Sequence, residues 1–220
     1  MESGSVRGEV RVEQPTVRQR VIARRAAEAR ATVPDLELSA DVELDACLRL
    51  GASTTALLVR ASALALRHVP RANAAYRDGR FELYSRVNVG FTVAIDDAYV
   101  TPTVFDADSK SLPALGEELD QLVRKTRTGA LSPPELSGAT FTLTDLAGPG
   151  IASSTAIITP PQAAALAAGG VREAPVIRDG ALVAGRVLTI TLACDHRILY
   201  GAQAASFLRW IKASLERASL

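Results

Sequence analysis

The sequence predicts an α/β fold. Segments in which apolar and polar residues alternate, which is typical of strands with one buried face, are interspersed with longer segments whose apolar residues recur at helical spacing. The composition, with 48% hydrophobic and 22% charged residues, is ordinary for a globular protein with a substantial core. A length of 220 residues allows one large domain or two small ones, and the order of these segments does not decide between them.

Residues 1–70 are predicted to form an arm, three helices and one strand. Residues 1–15 are rich in Gly, Glu and Val without a clear period, which indicates an extended arm. Alternation over residues 36–42 predicts a strand, and Pro34 and Pro70 each end a helix. The predicted helices cover residues 16–32, 44–50 and 54–69.

Strands are the more frequent predicted elements after residue 70. The tight turns Asp78-Gly79 and Arg178-Asp179-Gly180 predict two hairpins, because these dipeptides accept the positive φ angles of short turns. The hairpin strands cover residues 75–76 with 81–84, and 171–177 with 182–194. Four further strands are predicted, the first two paired through Asp96-Asp97: residues 87–95, 99–105, 140–146 and 155–159.

Two helices and a loop complete the predicted elements between and after these strands. Ser109 is predicted to cap a helix that runs to residue 128 and is closed by Gly129. Pro160-Pro161-Gln162 is predicted to start an alanine-rich helix, because proline is accepted in a first helical turn. Pro133-Pro134 indicates a loop, and apolar spacing predicts a last helix over residues 201–217.

Charge and cysteine content exclude several functional classes. A net charge of +1 gives no electrostatic reason to bind nucleic acid or an acidic membrane. Cys47 and Cys194 lie outside any metal-ligand spacing, so no metal site is expected and both are predicted to be buried free thiols. The N-terminus lacks an apolar signal core, and Arg60 and Arg67 interrupt the longest apolar segment. We therefore expect a soluble, cytoplasmic protein.

His196 is the first candidate for chemistry. It follows an alternating segment, residues 187–193, and precedes the last predicted helix, so its ring can be held rigidly at a strand end. The chain has only two histidines, and histidine is the side chain best suited to act as a base near neutral pH. From position alone, a hydrogen-bonded structural histidine is the more frequent alternative.

Several motifs resemble those of one family. The segment D-H-R-x-x-x-G-A at residues 195–202 resembles the H-x-x-x-D-G motif of the dihydrolipoamide acyltransferases, the catalytic cores of 2-oxoacid dehydrogenase complexes, whose fold chloramphenicol acetyltransferase shares. Other matches occur in family order and at near-family spacing from residue 16 onward, and on them the chain is identified as a member. They are R-V-I-A-R-R-A at 20–26, V-T-P at 100–102, D-A-D at 106–108, T-F-T-L-T-D-L at 140–146 and I-I-T-P-P-Q at 157–162. Asp35 stands where the family has His, and the connection after Leu50 is shorter than in the members known to us. The connection is either truncated, or residues absent from the sequence belong there.

The resemblance implies a single α/β domain over residues 16–220, a chloramphenicol acetyltransferase-like two-layer sandwich with a mixed β-sheet and packed helices. It also implies transfer of an acyl group between dihydrolipoamide and coenzyme A. A thiol has a pKa of about 8.5 and an imidazole one of about 6.5, so the proton transfer costs about 2.7 kcal/mol, which a positioned base can supply. By resemblance His196 is this base and the Thr144 hydroxyl donates to the oxyanion, with the two groups coming from adjacent subunits of at least a trimer.

Tyr200 departs from the family, which has Asp at this position to orient groups around the histidine. Tyrosine makes one hydrogen bond as donor or acceptor and stays neutral below pH ~10. An arginine that would have paired with the carboxylate, with Arg25 as the candidate, must find another partner. We expect weakened or re-routed support of the site.

Three further residues are implied to contact coenzyme A. Ser53 matches a family serine at the start of the apolar helix, and Gly169 lies where the family backbone approaches the cofactor. Asp145 replaces a family Asn, and a carboxylate there would repel the phosphates of coenzyme A. Gly148-Pro149-Gly150 has the wrong spacing for a phosphate-binding loop.

The resemblance also implies partners. They are the other subunits of a homotrimer or a larger symmetric core, and the decarboxylase and dihydrolipoamide dehydrogenase components of the complex. No lipoylation site is present, so lipoamide is expected on a separate or missing lipoyl domain. A pyruvate or branched-chain type is favoured. The alternatives are a weak or inactive scaffold subunit of such a complex and a free-standing acyltransferase that uses coenzyme A and a small acceptor.

Overall fold

The computed structural model describes residues 8–96, 98–146 and 150–220. The start of the predicted arm, Asp97 of the predicted turn, and Gly148 and Pro149 lie outside the described residues. The helices are α1 Val17–Thr32, α2 Asp45–Leu48, α3 Thr54–His68, α4 Leu112–Thr128, α5 Pro133–Ser137 and α6 Gly201–Glu216. The strands are β1 Asp35–Glu43, β2 Ala74–Arg77, β3 Arg80–Leu83, β4 Val89–Phe91, β5 Val93–Ile95, β6 Ala98–Val100, β7 Thr103–Val104, β8 Phe141–Asp145, β9 Ala164–Ala168, β10 Arg172–Arg178 and β11 Ala181–Asp195.

The main sheet is mixed and has seven strands. Its order is β1-β11-β9-β8-β4-β7, with β10 also paired to β11. Strand β8 is parallel to both β4 and β9, whereas the other pairs are antiparallel. Two hairpins, β2–β3 and β5–β6, lie outside this sheet. Both predicted tight turns are confirmed, because Asp78 and Asp179 and the glycines that follow them all have positive φ.

The two faces of the sheet are covered differently. On one face, buried residues of α3, α4 and α6 form the large core with Phe141, Leu143, Leu166 and Leu192. The opposite face carries a smaller cluster, in which Ala156 and Ile158 of an irregular segment cover the alternate residues of β9. Side chains that alternate along a strand belong to opposite faces, so Thr142 and Thr144 lie on the second face.

Helices α3 and α6 begin as their sequences predict. Ser53 caps α3 by accepting a hydrogen bond from Ala56 N, and α3 buries nine of its residues. Phe207 of α6 contacts Phe141 edge to face, with ring centroids 5.7 Å apart.

Both cysteines are buried free thiols as predicted, and burial raises the pKa of Cys194 to about 11. Within the described part of the chain, none of the helices combines the length and the hydropathy that a membrane span requires.

The predicted alanine-rich helix after Pro160-Pro161-Gln162 is wrong, since its residues form strand β9. Alanine has the highest intrinsic helix propensity, but a tertiary environment overrides that preference. Residues 163–168 are completely buried, and β9 hydrogen-bonds to β8 on one side and β11 on the other. The predicted strand at 155–159 is also wrong, because this segment covers the sheet without joining it.

The structure also differs from prediction between residues 107 and 137. Ser111 rather than Ser109 caps α4 by accepting from Ala114 N, because residues 107–109 form a separate 3-10 turn after Asp106, whose φ is +49°. Residues 133–137, predicted as a loop, form α5. Proline is favoured in a first helical turn, and Glu135 accepts hydrogen bonds from both the backbone N–H and the hydroxyl of Ser132.

Asp45 is one of the carboxylates that fasten the β10–β11 hairpin to the domain. Asp45 accepts from Arg178 Nη2 and Arg186 Nε, each at 2.8 Å, and also from Arg186 N at 3.3 Å. The hydrogen bonds from Arg186 and then Arg178 lower the pKa of Asp45 to about 2. Because the folded-state pKa is below the ordinary 3.8, this anchor stabilises the fold above pH ~4 and is lost as the pH falls toward 2.

We expect Asp45→Asn to lower the free energy of unfolding by about 1 kcal/mol at pH 7, because both arginine partners are partly exposed and screened. The difference from the parent protein should shrink as the pH falls from about 4 to about 2. Urea unfolding at several pH values measures it, with Asp120→Asn on the exposed side of α4 as the control. A difference that is unchanged at pH 2 would contradict this role of Asp45.

Candidate active site

His196 lies immediately after β11, in the turn that leads to α6. Its backbone N–H donates to Pro34 O at 2.9 Å, which fixes the start of the turn. The side chain is exposed, and its ring meets the Tyr200 ring edge to face with centroids 5.9 Å apart. The imidazole is therefore held at a strand end with its ring open to solvent.

The two neighbours of His196 clamp the turn. Asp195 is only 2% exposed, and its carboxylate accepts from Arg197 Nε at 2.9 Å and Nη2 at 2.7 Å. Arg197 N also donates to Asp195 Oδ1 at 3.0 Å, and the guanidinium lies 4.7 Å from the centre of the Tyr76 ring. A bidentate pair that is also stacked on an aromatic ring restricts the backbone on both sides of the histidine. Sequence reasoning assigned no role to this pair, although the D-H-R triplet places both charges beside His196.

Tyr200 occupies the N-cap position of α6 with extended backbone angles, φ −84° and ψ 162°. No side-chain cap bond is made there, whereas a carboxylate at an N-cap accepts from the first backbone N–H groups of the helix. The Tyr200 ring contacts His196 instead. Arg25, the candidate partner of the missing carboxylate, is an exposed residue of α1 without an ion pair to any described residue.

The other predicted site residues gather at the carboxyl ends of the parallel strands β8 and β9. Thr144 is near the end of β8, and Asp145 after it accepts a hydrogen bond of 2.7 Å from Thr55 Oγ1 at the start of α3. Ser53 is the N-cap of the same helix. The structure thus brings these three predicted residues to one corner of the sheet.

Gly169 reaches the same corner at the end of β9. Its N–H donates to Thr189 O at 3.0 Å. A Cβ at this position would lie 2.1 Å from Ala152 O, so only glycine lets the segment around Ala152 cross here. The space beside its Cα is therefore filled by the backbone of the same chain.

His196 and Thr144 lie at opposite ends of the sheet within one chain. Thr144 of β8 pairs with Ala167 of β9. Asp195, the last residue of β11, lies beside Ala163 instead, because its N–H donates to Ala163 O at 2.8 Å. These levels are four strand residues apart, or roughly 13 Å, and β9 lies between the two strands. A single chain therefore does not bring the predicted base and the predicted oxyanion donor together.

No group of three or more His, Cys, Asp or Glu side chains is arranged to hold a metal ion among the residues that the structure describes. The corner that contains Thr144 is instead rich in hydroxyls, and the turn that contains His196 presents a base. The imidazole can take up a proton, and a hydroxyl at the other end of the sheet can stabilise a developing oxyanion.

Both the sequence and the fold of this chain are similar to those of known proteins. The family profile described as 2-oxoacid dehydrogenases acyltransferase (catalytic domain) matches residues 7–220. An acetyltransferase component of the pyruvate dehydrogenase complex from Zymomonas mobilis is 34% identical over 212 residues, which cover 90% of this chain and 48% of that protein. The chain thus spans about half the length of the curated relatives it matches.

Solved structures agree on the fold. A probable dihydrolipoamide acetyltransferase from Listeria monocytogenes superposes with a TM-score of 0.89 at 27% identity, covering 96% of each chain. The cubic core of a pyruvate dehydrogenase multienzyme complex gives a TM-score of 0.91 at 25% identity, covering 96% of this chain and 93% of that one. Chloramphenicol acetyltransferase, at 16% identity and a TM-score of 0.60 with 91% and 96% of the two chains covered, shares the fold alone. The sequence-based predictions of family and fold are confirmed: the chain belongs to the 2-oxoacid dehydrogenase acyltransferase family and is built on its catalytic-domain fold.

Proposed function

We propose that this chain is the acyltransferase core of a 2-oxoacid dehydrogenase complex and moves an acyl group between dihydrolipoamide and coenzyme A. The observation that carries the proposal is the exposed imidazole of His196, held on a clamped turn at the family's base position. The names of the relatives favour an acetyl group and a pyruvate dehydrogenase complex over a branched-chain type. Lipoamide is supplied by a lipoyl domain outside these 220 residues.

The mechanism needs one base and one hydrogen-bond donor. The imidazole of His196 takes the proton of the attacking thiol, and the resulting thiolate adds to the thioester carbonyl. The Thr144 hydroxyl donates to the oxyanion of the tetrahedral intermediate, which then collapses and expels the second thiolate. The imidazolium returns its proton to that leaving thiolate, so the base is regenerated. Ser53, Asp145 and Gly169 are proposed to lie along the coenzyme A site.

The two groups come from different subunits. Within one chain they lie at opposite ends of the sheet, so the site is completed when the His196 end of one subunit meets the Thr144 end of the next. Repetition of one such contact closes into a ring, and a homotrimer is the ring that the family implies. Assembly of trimers into a larger core, with the decarboxylase and dihydrolipoamide dehydrogenase components attached, is supported by the likeness to the cubic core.

Mixing two inactive variants tests the proposal. His196→Ala and Thr144→Ala should each be nearly inactive in transferring an acetyl group from acetyl-coenzyme A to dihydrolipoamide. After the two are unfolded and refolded together, about one quarter of the subunit contacts in a random ring join an intact histidine to an intact threonine. We expect recovery of about a quarter of the activity, which a radiolabel or thiol assay measures. Equal amounts of each variant refolded alone are the control.

The other outcomes separate the alternatives. The parent protein could be active while the refolded mixture of variants recovers no activity. That result would mean that the base and the donor act within one subunit or that Thr144 is not the donor. A parent protein that forms rings but transfers no acyl group from any donor would indicate a scaffold, a reading that the missing carboxylate at Tyr200 favours. Activity with small acceptors and none with dihydrolipoamide would indicate a free-standing acyltransferase.

A further inference from the structure

A second threonine stands beside the proposed oxyanion donor. Thr92 lies between β4 and β5, and its N–H donates to Leu143 O at 3.0 Å. Because β4 runs parallel to β8 with Phe91 level with Leu143, the next residue on each strand, Thr92 and Thr144, shares the same face. Their hydroxyl oxygens are 3.3 Å apart, and both side chains are half-buried.

A hydroxyl has one proton to donate, and this decides what the pair can do. If Thr144 donates to Thr92, the Thr144 proton is occupied and cannot reach an oxyanion. If Thr92 donates to Thr144, the Thr144 proton is free, and the hydrogen bond that its oxygen accepts makes it a stronger donor. Only the second arrangement is compatible with the role of Thr144 in the proposed function.

Neighbouring hydroxyls are committed to other partners. Thr142 Oγ1 donates to Gln162 Oε1 at 2.8 Å, and Thr55 Oγ1 donates to Asp145 Oδ2 at 2.7 Å. Among the described residues, Thr92 is the side chain in hydrogen-bond contact with the Thr144 hydroxyl. The direction of that single contact therefore sets where the Thr144 proton points.

We propose that Thr92 is a positioning residue: its hydroxyl donates to Thr144 Oγ1 and so directs the Thr144 proton toward the oxyanion. The proposal rests on the proposed acyl transfer. It concerns Thr92 alone, which does not touch the reacting atoms and acts only through Thr144.

Two substitutions that separate the shape of the side chain from its hydroxyl test it. Thr92→Val keeps the shape and removes the hydroxyl, and Thr92→Ser keeps the hydroxyl. We expect Thr92→Val to lower kcat about tenfold, a part of the 10²–10³ typical of a lost oxyanion donor, with KM for both thiol substrates within about twofold. Thr92→Ser should restore most of the kcat, whereas a purely steric role would be better satisfied by valine.

A double-mutant cycle then separates positioning from indirect damage. In a Thr144→Ala background, Thr92→Val should change kcat less than twofold, because the hydroxyl that it orients is gone. The same tenfold loss in both backgrounds, or full activity of Thr92→Val in the parent, would overturn the proposal. Failure of the proposed function is seen separately, as a parent protein without acyl transfer or a Thr144→Ala variant with full activity.

Discussion

Replacing His196 with alanine is expected to lower kcat for acyl transfer by about 10³-fold, within the range that a positioned general base contributes. The expected loss is large because a neutral thiol is a poor nucleophile and no second imidazole lies in the described part of the turn. Added imidazole should restore a part of the rate by entering the space that the side chain leaves. Steady-state kinetics with and without imidazole measure both effects.

The other histidine supplies a matched control. His68 ends α3 and stacks on Trp210 with ring centroids 4.0 Å apart and an angle of 4° between the planes. His68→Ala loses this surface stacking, so a small fall in thermal stability and an unchanged kcat are expected. Equal losses of activity in the two alanine variants would contradict the assignment of the base to His196.

The second large effect concerns stability. Gly169→Ala is expected to lower the free energy of unfolding by about 3 kcal/mol, because the new Cβ would meet Ala152 O at 2.1 Å and Ala152 C at 2.6 Å. Both atoms are backbone, so relief requires movement of the whole crossing segment. The φ of Gly169 is not in the left-handed region, so the cost is steric rather than conformational. Chemical denaturation of the two proteins measures it.

Gly116→Ala is the control for this substitution. Gly116 lies in α4, and a Cβ there meets nothing within 4 Å. Alanine in an open helical position should stabilise the protein by about 0.5–1 kcal/mol. A Gly169→Ala variant as stable as the parent would contradict this prediction. It would mean that the segment at Ala152 moves aside without a cost in the free energy of unfolding.

Local sequence signals predicted the elements whose structure is determined mainly by adjacent residues. The alternation that ends at Ala193 and the turn at Asp179-Gly180 both match the structure, since period and turn chemistry are properties of adjacent residues. Strand β9 could not be predicted in this way, because what makes its alanines a strand is burial between β8 and β11. The order of the seven strands likewise depends on long-range pairing and was not predicted, since the family resemblance implied only a mixed sheet with packed helices.

The same division holds for the candidate site. Motif resemblance placed His196 and Thr144, but Thr92 lies 52 residues before its partner, and no local pattern connects them. Their contact follows from the parallel register of β4 and β8. The Asp195–Arg197 clamp is local, yet its stacking on Tyr76 requires a hairpin more than a hundred residues away. Contacts of this kind depend on strand order and register, which bring together residues that are far apart in the sequence.

Strand β9 consists of four alanines and one leucine, so most of its side chains do not distinguish one register against β8 and β11 from another. A slip by two places would put a methyl group where another methyl group had been, at little cost in packing. Three residues remove this ambiguity: Leu166, which continues a leucine row from Leu143 to Leu192 across the sheet, and the two residues that flank the alanines. Gln162 is tethered to Thr142 at one end, and Gly169 alone fits beneath Ala152 at the other. These three residues fix the register of β9 against β8 and β11, and this register sets the separation between His196 and Thr144 within one chain.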